Sequence, residues 1–488
     1  MARVMLVNPP WYSFLGTSSS EIPVGLVSLA GVLLKAGHEV AVFNSDLFGS
    51  VYASDLDVLR ARDDYTRKLG DDLEPIWQLV RERIQRWAPE VVGVHAKTSS
   101  WASARTVARI AKEVQPNVMT VCGGPHMSCV PEDVADNGSF DYAVVGEGER
   151  ALVGLLEADT DEERSRVPGV IDARLAGTSE VTSSQSIGNL DDLPYDGRKA
   201  LMDLSHYDKL GLGAVITARG CPFQCEYCAS FKIWSRRVRF RSAENVLAEI
   251  DHLADEYGVT YFKFCDDTFT VNKNRAHRIC EMLRKRKKLR WKCTTRADCL
   301  DDDLVEAMRS SGCAAVSIGV ESGSPRILEL MHKGESREAI ASGCRILREH
   351  RIPFTAFIMV GFPTETEQEA WETLAFAKSL GADSLAGSIL TPYPGTGFYR
   401  WAKEHGRLPT QNDWLGYYHQ NDTMGLWDLP TERSRDVTAE WFRAIERYNE
   451  RSGRLVKRFL TTLRNDPVGT VRKSGSLARR LLRTSRRT

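Results

Sequence analysis

No apolar run in this sequence reaches the roughly 18 residues that a membrane-spanning helix needs, and Met1 to Asn8 is typical of a first β-strand rather than of a signal peptide. An excess of one charge is also lacking, because 65 basic residues balance 65 acidic ones. The 11 cysteines are odd in number and do not form a disulfide pattern. We therefore expect a cytoplasmic protein in a reducing compartment, and the overall charge does not indicate a partner.

The composition is that of a globular protein. Of the 488 residues, 42% are hydrophobic and 27% are charged. A chain of this length is expected to form two or three domains with a sizeable core. Eight cysteines occur singly among apolar residues, and we interpret them as core residues because free cysteine behaves as a small hydrophobe. They are Cys122, Cys129, Cys265, Cys280, Cys293, Cys299, Cys313 and Cys344.

The other three cysteines lie in GCPFQCEYC, residues 220–228. Cys221, Cys225 and Cys228 have no fourth partner nearby, and no second CxxC pair occurs in the chain. A structural zinc site usually takes four ligands in two close pairs, so zinc or three unrelated core cysteines is the weaker interpretation. Three thiolates can hold a four-iron cluster and leave one iron open for chemistry. The spacing predicts such a cluster.

Short β-branched runs alternate with helical stretches from Arg3 to about Leu156. This alternation predicts an α/β domain with a parallel, doubly wound sheet of the Rossmann or flavodoxin type. Ligands of such sheets bind beyond the carboxyl ends of the strands. The turns there contain glycines, which allow close approach to the backbone, and hydroxyls, which bind phosphate or amide groups. These turns are Asn8 to Pro10, Thr98 to Ser100, Gly123 to His126 and Gly146 to Glu149.

Six more strands alternate with helices from about residue 213 to residue 390. They predict a partial (β/α)6 barrel whose active face is formed by the carboxyl ends of its strands, and the cysteine motif follows the first of them. Charged residues follow the next three strands, at Asp266, Asp267, Arg296 and Glu321. A cation can pair with a ligand carboxylate, and carboxylates suit hydroxyl and ammonium groups. Helix capping is the alternative role for these residues.

The CxxxCxxC motif resembles the signature of the radical S-adenosylmethionine (SAM) enzymes. The resemblance implies that the open iron binds SAM and that reductive cleavage gives a deoxyadenosyl radical. It also implies SAM contacts at Asp266 or Asp267 for the amino group, at Arg296 for the carboxylate and at Glu321 for the ribose. Tyr227 places an aromatic ring beside the last cysteine and is included in this set.

The NPP start, the GGPH turn and the GEGE turn together resemble the cobalamin-binding domain that precedes the radical domain in one large subfamily. A domain that keeps this fold without binding a corrinoid is the alternative. His95 and His126 lie beside turns, and we interpret them as hydrogen-bonding residues rather than metal ligands. The resemblance implies that a corrinoid pocket is lined by Asn8, Thr98, Gly123, Gly124, Pro125, Gly146 and Glu147.

The expected cobalamin has no histidine as its lower ligand. Proteins that supply such a histidine carry a DxHxxG motif, whereas the stretch compared here reads Asp46, Leu47, Phe48, Gly49.

The expected domains are a cobalamin-binding domain at 1–157, a linker at 158–206, a radical SAM barrel at 207–400, a small helical segment at 401–453 and a basic tail at 454–488. The tail carries eleven basic residues and one acidic residue, Asp466, with apolar residues at helical spacing. Membrane-surface contact and a solvated tail are both open interpretations. Nucleic-acid binding, which clustered arginine also suits, is the least favoured.

The paired cofactors predict a cobalamin-dependent radical SAM enzyme, a C-methyltransferase of secondary metabolism or lipid modification. Its expected partners are a small-molecule or lipid substrate and an electron donor of the flavodoxin or ferredoxin type. A radical cyclase or rearranging enzyme of the same architecture is the first alternative, because sequence motifs do not separate the two reactions. A non-catalytic cobalamin sensor is the second, and the intact cysteine motif argues against it.

Overall fold

The computed structural model describes residues 1–16, 20–48, 58, 61–176, 184–408 and 414–450. Its strands form two six-stranded sheets and one two-stranded ribbon. Each large sheet is covered by helices from its own part of the chain, so the predicted α/β fold with two successive units is confirmed. Within the described part of the chain, no helix is both long and apolar enough to cross a membrane. The basic tail at 454–488 lies outside the described residues.

The first sheet has the strand order β2-β1-β3-β4-β5-β6. All its pairings are parallel except the antiparallel pair of β5 with β6 at the edge. The strands are β1 (Arg3–Asn8), β2 (Glu39–Asn44), β3 (Val91–His95), β4 (Met119–Gly123), β5 (Tyr142–Val144) and β6 (Val170–Asp172).

Helices cover both faces of this sheet, because alternate side chains of each strand point to opposite faces. Val4 and Leu6 pack with the helices Val24–Lys35 and Gly148–Glu157, whereas Met5 and Val7 pack with the helices Pro75–Trp87 and Trp101–Val114. This is the doubly wound arrangement. The helices are α1 (Val24–Lys35), α2 (Arg62–Leu69), α3 (Pro75–Trp87), α4 (Trp101–Val114), α5 (Pro125–Cys129), α6 (Gly148–Glu157) and α7 (Asp161–Ser165).

The second sheet is parallel throughout and has the order β14-β13-β12-β11-β10-β7. Its first and last strands do not pair with each other, so it forms the predicted partial barrel. β8 and β9 pair separately as an antiparallel ribbon. The strands are β7 (Ala214–Val215), β8 (Ala218–Arg219), β9 (Arg239–Phe240), β10 (Tyr261–Phe264), β11 (Arg290–Thr295), β12 (Cys313–Glu321), β13 (Phe354–Val360) and β14 (Ser384–Ile389).

Helices surround the barrel strands, and most begin at a serine, threonine, asparagine or aspartate cap. The last helix packs on the β14 edge, where the Asn449 side-chain amide donates to the Leu385 carbonyl at 2.9 Å. Its Trp441 indole N–H donates to the carbonyl of Ala370, on the helix Glu367–Ser379, at 3.1 Å. The helices are α8 (Lys209–Leu212), α9 (Ser230–Trp234), α10 (Ala243–Tyr257), α11 (Lys273–Arg284), α12 (Asp302–Ser310), α13 (Pro325–Leu330), α14 (Arg337–Glu349), α15 (Glu367–Ser379), α16 (Gly397–Glu404) and α17 (Thr431–Asn449).

The segment between the two units contacts both. β6 extends the first sheet, and a β-bridge joins Leu201 to Val42 of β2. Arg198 is buried, and its guanidinium lies 2.9 Å from the carboxylate of Glu249 on α10. The C-terminal segment also reaches the first unit, since the Trp414 indole N–H donates to Asp133 at 2.5 Å.

Candidate active site between the two sheets

The cysteine loop spans residues 220–228 and leaves strand β8 of the two-stranded ribbon. Gly220 begins the loop with φ of +102°, and a Cβ at that position would lie 2.6 Å from the carbonyl oxygen of Arg237. Only glycine fits this turn without strain. The ribbon and this glycine therefore fix the position of the first cysteine, Cys221.

Backbone hydrogen bonds hold the loop against the barrel. The Glu226 N–H donates to the Met331 carbonyl at 3.0 Å, and the Phe398 N–H donates to the Glu226 carbonyl at 3.2 Å. The Arg296 guanidinium stacks over the Phe223 ring, 3.7 Å from its centroid. The loop is thus fastened at its middle, at the mouth of the barrel.

The three thiols of Cys221, Cys225 and Cys228 are partly exposed and free. Burial raises the pKa of Cys221, and it raises the pKa of Cys228 to about 12. In the described ranges, no group of three or more His, Cys, Asp or Glu side chains has converged to a metal-binding geometry. In number, type and spacing, three thiols on one short loop fit a cluster with one open iron, and binding would displace their protons.

The two aspartates after β10 differ in their surroundings. Asp266 is buried and accepts the backbone N–H groups of Thr217 at 2.6 Å and Ala218 at 3.0 Å, so its carboxylate holds the backbone that leads to the cysteine loop. Asp267 accepts a hydrogen bond from the Ser230 hydroxyl at 2.5 Å. Burial raises the pKa of both carboxyl groups. Asp267 is the one with spare acceptor capacity near the cysteines.

Glu321, at the end of β12, adopts φ of +62°, which is strained for a residue other than glycine. Its carboxylate accepts a hydrogen bond from the Tyr227 hydroxyl at 3.4 Å, and the Lys333 ammonium lies 4.0 Å away. Burial raises the pKa of Glu321, and the Lys333 charge opposes this. Strain held in place by surrounding structure is typical of a functional site.

Arg296 is already engaged within the protein. Its guanidinium donates to both carboxylate oxygens of Asp298, at 3.0 and 2.7 Å, and to the Lys333 carbonyl at 2.8 Å. Lys333, which sequence reasoning missed, is buried with its ammonium 3.0 Å from Glu335. Lys333 follows helix α13. The sequence analysis looked for site residues directly after strands and therefore did not find it.

A mainly apolar cavity of about 280 Å³ lies between the carboxyl ends of the first sheet, helices α1 and α6, and the ribbon of the barrel. Five of the seven residues predicted to line a corrinoid pocket line this cavity: Gly123, Gly124, Pro125, Gly146 and Glu147. Its far wall comes from the barrel unit and consists of Ile216, Arg219, Ile233 and Trp234.

Close backbone approach at this cavity depends on glycine. Gly124 has φ of +118°, and a Cβ there would lie 2.7 Å from Cδ2 of His95. Gly146 has φ of +81°, and a Cβ there would collide with the Ser184 side chain. Apolar walls and bare backbone at these glycines suit one face of a large, flat cofactor such as a corrinoid, of which a cavity of about 280 Å³ encloses only a part.

The remaining two predicted contacts, Asn8 and Thr98, lie outside the cavity lining. The Asn8 amide donates to Asn44 at 2.8 Å, and its carbonyl oxygen lies 3.4 Å from Nδ1 of His95. The Thr98 hydroxyl lies 3.3 Å from Nδ1 of His126. Asn8 and Thr98 therefore each contact a histidine. These contacts agree with the interpretation of His95 and His126 as hydrogen-bonding residues.

His95 itself lines the cavity, although sequence reasoning did not assign it to the pocket. Burial lowers its pKa to about 3, so the imidazole is neutral at physiological pH. The sequence feature that could have pointed to His95 is its place at the end of a predicted strand.

The stretch compared with the DxHxxG motif begins at Asp46, which lies after β2 and accepts the Trp11 backbone N–H at 2.8 Å. This stretch has no histidine, and the loop after β1, residues 9–23, has none either.

Comparisons with known proteins identify the family of this chain. The radical SAM superfamily matches residues 215–377, and the B12 binding domain matches residues 17–156. An uncharacterised methyltransferase of Pyrococcus horikoshii is 31% identical over 441 residues, covering 88% of this chain and 89% of that protein. The chain is thus a radical SAM enzyme with a B12-binding domain. More narrowly, it belongs to the family of cobalamin-dependent radical SAM methyltransferases.

Two further relatives differ in their named reactions. Cytidylyl-2-hydroxyethylphosphonate methyltransferase of Streptomyces wedmorensis is 26% identical over 495 residues, covering 91% of each chain. Anaerobic magnesium-protoporphyrin IX monomethyl ester cyclase of Cereibacter sphaeroides is 29% identical over 417 residues, covering 82% of this chain and 63% of that protein. The relatives of this chain therefore include proteins named as methyltransferases and proteins named as cyclases.

Solved structures share the fold. The radical SAM methyltransferase TsrM of Kitasatospora setae matches with a TM-score of 0.63 at 20% identity, covering 83% of this chain and 76% of that one. The cobalamin-dependent radical enzyme OxsB matches with a TM-score of 0.67 at 15% identity, covering 99% and 75%. The cofactors of this chain are a four-iron cluster, SAM and cobalamin, as the sequence predicted.

Proposed function

We propose that this enzyme transfers a methyl group to an unactivated carbon of a small organic molecule or a lipid. One observation carries the proposal: the residues that close the corrinoid-type cavity, Ile216, Arg219, Ile233 and Trp234, also flank the cysteine loop. An unactivated carbon must lose a hydrogen atom before it accepts a methyl group. Two cofactor sites that share a wall allow both steps on one bound substrate.

When bound, the cluster with SAM supplies a deoxyadenosyl radical and cobalamin supplies a methyl group. Cys221, Cys225 and Cys228 hold the cluster in this proposal. Asp267 and Glu321 contact SAM directly, since both have acceptor oxygens near the cysteine loop.

The other proposed SAM residues act with them. Tyr227 orients Glu321 through its hydroxyl. Asp266 and Arg296 have their polar atoms occupied by Thr217 and Asp298, so they hold the backbone and the Phe223 ring in place for SAM.

Gly123, Gly124, Pro125 and Gly146 form the proposed corrinoid cradle, and Glu147 supports it through ion pairs. Asn8 and Thr98 act through His95 and His126. The proposed cobalamin has no histidine lower ligand, because neither the loop after β1 nor that after β2 contains one.

The domain division belongs to the proposal: 1–157 for cobalamin, 158–206 as the linker, 207–400 as the barrel, 401–453 as the helical segment and 454–488 as the tail. Partly exposed thiols support an electron donor of the flavodoxin or ferredoxin type that docks at the cysteine loop. Contact of the basic tail with the inner membrane surface is proposed from its sequence alone. If a chain that ends near residue 453 sediments with anionic liposomes as well as the full chain does, membrane contact through the tail is wrong.

The test of the reaction is anaerobic reconstitution with iron, sulfide and cobalamin, followed by measurement of the products of SAM under a strong reductant. Methyl transfer predicts both S-adenosylhomocysteine and deoxyadenosine, with corrinoid absorbance retained by the protein. Candidate substrates are carbon skeletons whose products carry one extra methyl group.

A radical cyclase is the second candidate, and the cyclase relative at 29% identity is the observation that favours it. That reaction predicts deoxyadenosine without S-adenosylhomocysteine. Deoxyadenosine alone, in the presence of bound cobalamin and a turned-over substrate, would therefore replace the methyl-transfer proposal with cyclisation or rearrangement.

A further inference from the structure

Arg219 connects the two units at one buried point. It is the last residue of β8 and immediately precedes Gly220 and Cys221, yet its side chain is only 4% exposed. Its guanidinium donates to Glu147 at 3.1 Å and to Glu149 at 2.5 Å, both from the first unit. A cation of the cysteine-loop strand is therefore buried among carboxylates of the B12-binding domain.

The ribbon's other strand begins at the same carboxylate. Arg239 of β9 pairs with Glu147, which also accepts the Ile187 backbone N–H at 3.1 Å. Two arginines thus meet the two glutamates of the GEGE turn, so the buried charges balance. A buried pair of this kind is costly to break, because removal of one partner leaves an unpaired charge in a dry environment.

These residues also border the corrinoid-type cavity. Glu147, Glu149 and Arg219 line it, and so does Trp234, whose ring lies 4.7 Å from the guanidinium carbon of Arg219. Anything that fills the cavity therefore contacts the same side chains that hold the start of the cysteine loop. The four residues Glu147, Glu149, Arg219 and Trp234 are called the interdomain latch below.

We propose that the interdomain latch couples cobalamin binding to the order of the cysteine loop, with Arg219 as a positioning residue for the cluster. The inference rests on the proposed function, since it assumes that both cofactors bind. A cofactor in the cavity restrains Trp234 and the glutamates, and these restrain Arg219 and the Gly220 turn. Coupling between two sites is reciprocal, so a bound cluster tightens cobalamin binding by the same factor.

The test measures the dissociation constant of hydroxocobalamin for the full chain with and without a reconstituted cluster. We expect a ratio of about tenfold in the native protein, within the usual range for coupled sites. Arg219→Lys and Glu149→Gln should reduce this ratio to about onefold to twofold on the same scale. Both residues line the cavity, so the ratio of the two dissociation constants, and not either constant alone, is the readout.

Glu249→Gln is the matched control, because Glu249 is a buried carboxylate that pairs with two arginines, Arg198 and Arg241, and lies outside the cavity lining. It should lower thermal stability and keep the tenfold ratio. Equal loss of the ratio in the control and the latch variants would overturn the proposal, since a general effect on folding would then explain it.

A measurement on the native chain needs no variant. In cluster-free protein, hydroxocobalamin should slow hydrogen exchange of the peptide that covers residues 220–228. Unchanged exchange, or a native ratio near one, overturns the latch while the proposed function stands. Failure of the protein to bind cobalamin at all contradicts the proposed function itself, so the two failures are distinguishable.

Discussion

The hydroxyl of Tyr227, between two cysteines of the loop, donates a hydrogen bond to the carboxylate of Glu321 at the end of β12, at 3.4 Å. The two residues are far apart in sequence, and Glu321 has a left-handed backbone conformation with φ of +62°. This contact joins the cysteine loop to the carboxyl end of a central barrel strand.

We expect Glu321→Gln to weaken SAM binding by about tenfold, because a neutral amide replaces a carboxylate that would accept hydrogen bonds from the ribose hydroxyls of SAM. Tyr227→Phe should weaken it less, by roughly threefold, since one neutral hydrogen bond is lost. Equilibrium binding of SAM to the reconstituted protein measures both. Unchanged affinity in Glu321→Gln, with a normal cluster, would remove Glu321 from the SAM site.

Cys225→Ala should abolish the four-iron cluster and SAM cleavage while cobalamin still binds, because the cluster then has only two protein thiolates. Cys299→Ala is the matched control, since Cys299 is also partly buried and free but lies outside the motif. Iron content, cluster EPR and deoxyadenosine formation report the difference. A native protein that binds cobalamin but shows no cluster-dependent turnover would support the sensor alternative.

Gly124→Ala should weaken cobalamin binding by at least about tenfold, because its Cβ would lie 2.7 Å from His95 at the mouth of the cavity. Gly138→Ala is the control: Gly138 also has a positive φ, +59°, but a Cβ there meets nothing within 4 Å. Both variants carry backbone strain, and only one narrows the cavity. If both weaken cobalamin equally, the cavity is not the corrinoid site.

Cobalt(II) cobinamide, a corrinoid that lacks the nucleotide base of cobalamin, should give an EPR spectrum without axial-nitrogen splitting when it is bound to the protein. His95→Ala should leave that spectrum unchanged, because His95 is expected to contact the cofactor without ligating cobalt. A nitrogen splitting that disappears in His95→Ala would show that this histidine is the lower ligand. The loops after β1 and β2 contain no competing histidine.

Glu365 should make the protein less stable as pH rises. Burial raises its pKa from 4.5 to about 8, while one carboxylate oxygen accepts the Gly361 and Phe362 N–H groups at 2.6 and 3.0 Å. Between those two pH values the folded state holds a proton that the unfolded state has released, so the free energy of unfolding falls with pH. Above about pH 8 the loss is complete.

Glu365→Gln should flatten this dependence and raise stability at pH 8.5 relative to the native chain, by up to a few kcal/mol on the scale of about 1.4 kcal/mol per pKa unit. Denaturant unfolding at pH 6 and pH 8.5 measures the change. Parallel pH profiles for the two proteins would show that Glu365 ionises normally in the folded state.

Much of the fold could be predicted because its signals are local. The alternation of strands and helices predicted both sheets, but the cysteine loop, which we expected directly after the first barrel strand, leaves the ribbon strand β8 that follows β7. β6 was missed, since Val170–Asp172 is a three-residue edge strand inside a polar stretch. Its pairing with β5 is antiparallel and depends on a contact that the local pattern does not contain.

By itself, the sequence determined the cofactor chemistry, because Cys221, Cys225 and Cys228 are neighbours along the chain and their spacing needs no partner elsewhere. Only the tertiary structure decided that Glu147 pairs with Arg219, 72 residues away, and that His95 lines the cavity. Buried ion pairs and cavity walls form where the two units pack together. Their geometry is set by sheet order and helix packing, which no local pattern of residues records.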